Sequence, residues 1–134
     1  MNQNPLVWII DDDDISKYII RKNLQQLSIT NVVEFSDSLE PLKGITKNID
    51  SVDKLPDIIL LDLNMPILDG FEFMEEFKIL NKEIAKEIHI YMLTSSLSSN
   101  DLVRANSYPE ISEYLIKPIA FQSLETIVKN ILQN

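Results

Sequence analysis

Four consecutive aspartates, Asp11 to Asp14, follow an apolar run that begins at Leu6. Carboxylates held that close repel one another, and a cation, bound protons or solvent must relax the repulsion. Other polar landmarks stand in the same relation to apolar runs. Asp62 lies at the end of "DIILLDL" (Asp57–Leu63), Thr94 ends "IHIYMLT" (Ile88–Thr94), and Lys117 follows "YLI" (Tyr114–Ile116). A hard divalent cation takes oxygen ligands, and carboxylates from adjacent chain segments can supply two or three of them.

The elements that position these groups follow from the pattern. Besides those three runs, "LVWII" (Leu6–Ile10) and "VVEF" (Val32–Phe35) read as strands. The first, third and fourth are nearly continuous in apolar character, as strands buried on both faces are. Helical spacing fills the intervals. Ile15, Tyr18, Ile19, Leu24 and Leu27 form one stripe, with Asp13 or Asp14 as N-cap. Further helices are expected from Ser38 to Lys47, Phe71 to Asn81, Asn100 to Ser107 and Phe121 to Leu132. Asp69-Gly70 reads as a turn in which glycine supplies a positive φ. Alternating strands and helices predict an α/β fold, a doubly wound five-stranded parallel sheet flanked by five helices. Ligands in such folds bind beyond the carboxyl ends of the strands, where Asp11, Asp12, Asp62, Thr94 and Lys117 all fall.

The 134 residues carry 12 basic and 21 acidic side chains, a net charge of −9, which argues against a nucleic-acid partner. No apolar stretch reaches the ~20 residues of a bilayer span, so membrane insertion is not expected. The amino terminus lacks a basic signal region, cysteine is absent, and a cytoplasmic location is the expectation. Residues 1–134 read as one domain, with too little chain after Leu132 for an output domain.

The segment "DIILLDLNMPILDGFEF" (Asp57–Phe73), with "IIDD", "MLTS" and "YLIKP" in order around it, resembles the response-regulator receiver domain of two-component signalling. The likeness covers nearly the whole chain. It implies the flavodoxin-like strand order 2-1-3-4-5 and a cis bond at Lys117–Pro118. It also implies a role for each matching residue. Asp62 is the phosphoacceptor, charged by a sensor histidine kinase or a histidine phosphotransfer protein. Asp12 binds Mg²⁺ (or Mn²⁺) directly, Asp11 chiefly through water, and Asn64 through its backbone carbonyl, with Asp62 completing the metal set. Thr94 and Lys117 contact the phosphoryl oxygens, and Tyr114 is an aromatic switch. A downstream protein is expected on the face built by the fourth helix, fifth strand and fifth helix, with Asn64 and Ser96 tuning the phosphate lifetime. Beyond its own phosphorylation and dephosphorylation no enzyme activity is expected.

One departure stands out. The family commonly has a Gly-Ala pair shortly before the fifth strand, where this chain reads "NSYPEISEY" (Asn106–Tyr114). Three rival chemistries fit less well. A flavin carrier needs hydroxyl and glycine donors in its first loop, not "DDDDIS". An aspartate-nucleophile phosphatase, also Mg²⁺-dependent, needs a second aspartate where Asn64 stands. A calcium loop fails its spacing from either Asp11 or Asp62. The remaining alternative is a receiver-fold docking module in which phosphorylation is secondary or lost.

Overall fold

The computed structural model describes residues 4–95 and 98–133. Its strands are β1 (Val7–Ile10), β2 (Val32–Phe35), β3 (Ile58–Asp62), β4 (His89–Thr94) and β5 (Ile111–Ile116). Its helices are α1 (Asp14–Gln26), α2 (Leu39–Lys47), α3 (Gly70–Asn81), α4 (Ser99–Asn106) and α5 (Phe121–Leu132), with a 3-10 turn at Val52–Lys54. The strands are all parallel, in the order β2-β1-β3-β4-β5. This is the expected doubly wound arrangement.

Successive strand side chains point to opposite faces, so each strand feeds two cores. Trp8, Ile10, Ile59, Leu61, Ile90 and Met92 pack with Ile45, Phe73 and Phe77 on the side of α2 and α3. Val7, Ile9, Ile58, Leu60 and Leu93 pack with Ile20 and Leu24 of α1 and Leu124, Ile127 and Val128 of α5. β1 and β3 are buried along their whole length, whereas β2 and β5 at the edges are only partly buried.

Three expectations need correction. The inner stripe of α1 is Lys17, Ile20 and Leu24, while Ile15, Tyr18 and Ile19 are exposed. Asp13 caps the helix by accepting from the Ile15 amide at 3.0 Å, while the packing of Ile20 and Leu24 into the core beside α5 turns the three other residues outward. β5 begins at Ile111, three residues before Tyr114, and its register with β4 shifts between Ile90 and Tyr91, leaving Ser112 unmatched. Gly70 has no positive φ. The left-handed residue of that loop is Ile67, at φ 71°. Asp69 instead caps α3, with Glu72 completing a reciprocal capping box.

Gly70 is required by close approach. A Cβ there would lie 2.9 Å from the Leu63 Cα and 3.2 Å from the Asp62 carbonyl oxygen, so the backbone carrying Asp62 would have to move. At Gly44 an added Cβ meets only the Trp8 ring, at 3.4 Å. Gly70→Ala should therefore destabilise by about 1–3 kcal/mol. Gly44→Ala should be neutral or stabilising by up to about 1 kcal/mol. Urea denaturation of the two variants checks the contrast.

Candidate functional site

Parallel register carries the polar strand ends to one rim. Asp62 pairs with Leu93, Thr94 pairs with Ile116, and the Asp11 amide donates to the Phe35 carbonyl at 3.0 Å. Asp11, Asp12 and Asp62 converge there, each offering a carboxylate oxygen within 4.8 Å of the others. Asp11 and Asp62 are 1% and 4% exposed, whereas Asp12 faces solvent. Two buried acids with an exposed third form a cup open on one side. Its all-oxygen, acid-rich donors fit a hard divalent cation, which Asp11, Asp12 and Asp62 would hold.

Lys117 lies across the cup. Its Nζ donates to Asp11 Oδ2 at 2.8 Å and stands 3.8 Å from Asp62 Oδ2. Burial alone would lower the lysine pKa, but the hydrogen bond and charge of Asp11, and then the charge of Asp62, outweigh it and hold the pKa above its usual value. The ammonium thus stays charged beside Asp62. Lys117 donates its amide to the Thr94 carbonyl at 2.7 Å, and the Lys117–Pro118 bond is cis.

Asp62 is the strained member. Removal from water, followed by repulsion from Asp11, pushes its carboxyl up to about 7, against the opposing pull of Lys117 and the Asn64 amide. That amide donates to Asp62 Oδ1 at 3.3 Å, and the Asn64 side chain donates to Thr94 Oγ1 at 3.3 Å. Asn64 therefore links the acid to the fully buried hydroxyl at the end of β4. Asp13 and Asp14 stay outside the cup as cap and first-turn acid of α1. Asn64 lies beside Asp62 and Thr94, and Ser96 lies outside the described residues.

Tyr114 is half-buried on β5, with its hydroxyl enclosed and without a partner in regular hydrogen-bond geometry among the described residues. Burial pushes its phenol up, and the nearby Thr94 opposes that shift. The ring is thus turned partly into the fold.

Residues 7–129 match the family described as the response regulator receiver domain. The chain belongs to this family. It is a receiver domain of two-component signalling. Over 92% of its length it is 36% identical to the sensor histidine kinase CheAY of Helicobacter pylori, of which it spans 14%. A two-component response regulator from Cytophaga hutchinsonii superposes with a TM-score of 0.86 at 22% identity, over 98% of this chain and 99% of the other. The receiver domain of a Pseudomonas aeruginosa sensor histidine kinase, with a magnesium ion coordinated in its active-site cleft, gives 0.77 at 19% identity. It covers 98% of this chain and 99% of its own. These two likenesses concern the fold. No helix among the described residues is long and apolar enough to cross a membrane.

Two buried residues of this receiver escaped the sequence reading. Lys17, 4% exposed, donates to Ser36 Oγ at 2.6 Å and lies 3.3 Å from Asp14. A lysine among apolar neighbours reads as surface unless its hydroxyl partner after β2 is known. Tyr108, 6% exposed, stacks on Phe71 at 6.1 Å and donates to Glu75. It fills the "NSYPEISEY" connection with a ring anchored to α3.

The raised carboxyl of Asp62 makes a pH test. In metal-free protein the folded state keeps this proton up to about pH 7, whereas the unfolded chain releases it near the ordinary carboxylate pKa of ~4. The folded state binds more protons in that window, so this group's contribution to stability falls as pH rises through it. The slope is at most ~1.4 kcal/mol per pH unit. Asp62→Asn should remove that component. Urea unfolding of chelator-treated wild type and variant should show the variant gaining relative stability from pH ~4 toward 7.

Proposed function

We propose that this receiver is a phosphoacceptor in a phosphorelay, taking a phosphoryl group onto Asp62 from the phosphohistidine of a sensor kinase or a histidine phosphotransfer protein. The observation that carries the proposal is a buried carboxylate at a strand end with an ammonium 3.8 Å away and two further carboxylates within 4.8 Å. One carboxylate oxygen of Asp62 attacks phosphorus, the phosphorus–nitrogen bond of the donor breaks, and the imidazole leaves with the bonding pair. The product is an acyl phosphate, a labile mixed anhydride suited to a transient signal.

Mg²⁺, or Mn²⁺, held by Asp11, Asp12, Asp62 and the backbone carbonyl of Asn64, would supply the charge neutralisation that lets an anion approach an anionic phosphoryl group. The magnesium ion in the Pseudomonas receiver supports this assignment. Lys117 is already beside Asp62, its backbone held by the amide hydrogen bond to the Thr94 carbonyl, and its ammonium can follow a phosphoryl oxygen. The Thr94 hydroxyl donates to a phosphoryl oxygen, a contact that exists only while Asp62 is charged. This contact favours the arrangement with Tyr114 held inward, which makes the switch a shift between existing populations. The signal leaves through a downstream protein on the face of α4, β5 and α5, where Leu102, Val103 and Ile116 are exposed. Activity beyond self-phosphorylation and self-dephosphorylation is not part of the proposal.

Incubation with acetyl phosphate and Mg²⁺ tests the chemistry directly. Intact-mass analysis should show one base-labile phosphoryl group on wild type and none on Asp62→Asn. Equal labelling of the variant would move the nucleophile elsewhere.

A further inference from the structure

An apolar groove of about 540 Å³ runs between α2 and α3, lined by residues that include Leu39, Leu42, Leu68, Ile79 and Leu80. Leu39 and Ile79 are 43% and 59% exposed, and Ile67, beside Leu68 in the chain, is 80% exposed. Exposed apolar side chains gathered on one face mark an interaction surface more strongly than scattered ones do. The groove's charged lining completes the pattern. Lys43 and Lys47 of α2 and Glu76 of α3 are exposed, and none of the three makes an ion pair among the described residues. The groove thus carries two cations on α2 and an acid on α3.

We propose that this groove is a homodimer interface, closed by a second copy of the chain across a two-fold axis. A surface with cations on one helix and an acid on the facing helix is its own complement. The two-fold places α2 of each copy against α3 of the other, and so generates two equal sets of Lys–Glu contacts around a shared apolar centre. A partner helix of one charge sign meets a like charge on one side of the groove, which disfavours it. The interface uses a different pair of helices from the face of α4, β5 and α5. The inference stands independently of the phosphorylation chemistry.

Sedimentation velocity of the intact chain from micromolar to millimolar concentration tests it, with circular dichroism confirming that each variant is folded. Wild type should show a reversible monomer–dimer equilibrium, weakened at least ~10-fold by Ile79→Lys. Lys43→Glu and Glu76→Lys should each weaken it several-fold, and their combination should restore most of the affinity, since both edges are then reversed together. All three positions are exposed, so the variants should fold and retain Asp62 labelling. A wild-type monomer at millimolar concentration would overturn the proposal. So would a dimer indifferent to Ile79→Lys, or a charge swap that fails to restore association.

Discussion

Repulsion among carboxylates held at one end of a rigid sheet is the constraint around which this receiver is organised. Asp11 and Asp62 are almost fully buried and within 4.8 Å of each other and of Asp12. One ammonium, from Lys117, reaches only part of that charge. The carboxyl of Asp62 accordingly rises to about 7, chiefly because it has left water and then because Asp11 is so near. Relaxation by moving apart is prevented by the strands that carry the acids. β1 and β3 are adjacent, buried on both faces and locked in register from Val7–Ile58 to Ile10–Leu61. The packing that stabilises the sheet therefore also stores the electrostatic tension of the site. Gly70 adds to the confinement, because α3 begins close against the backbone of Leu63 and Asp62.

From the same constraint comes the coupling to the rest of the molecule. Asn64 contacts Asp62 through its amide and Thr94 through its side chain, so two strand ends sense one charge. Thr94 in turn lies next to the enclosed hydroxyl of Tyr114. Farther along, the connection before β5 is anchored to α3 by Tyr108. Phe71 stacks with that ring and also meets the Arg104 guanidinium, 4.4 Å from its centroid. The carboxyl end of α4 is thus fastened to α3 through Arg104 and Tyr108. Its amino end begins at Ser99, capped by the Ser98 side chain, which accepts from the Asp101 amide.

Much of this was legible in the sequence because the strongest signals are local. Continuous apolar runs identified β1, β3 and β4, and polar residues at their ends identified Asp11, Asp12, Asp62 and Thr94. Parallel topology then brought these residues together without any contact being known in advance. What the sequence hid depends on tertiary partners. The phase of α1 could not be read from apolar residues alone, because Lys17 faces inward toward Ser36 and three apolar residues face out. Likewise the positive φ falls on Ile67, a β-branched residue that local preference would exclude, and Gly70 is required by close packing instead. Tyr108 has the same explanation, since its partners Phe71 and Glu75 lie more than thirty residues earlier.

The central claim is that a divalent cation relieves a repulsion built into the folded state. Mg²⁺ that binds the folded chain and not the unfolded one must raise stability with concentration, by about 2.7 kcal/mol at a hundredfold excess over its dissociation constant. Urea unfolding at neutral pH, with chelator and with increasing Mg²⁺, measures this increment in wild type and in Asp12→Ala. The account predicts a saturable gain in wild type and the loss of most of it in Asp12→Ala, whose exposed carboxylate is removable without disturbing either core. A wild-type unfolding midpoint unchanged by millimolar Mg²⁺ would contradict it.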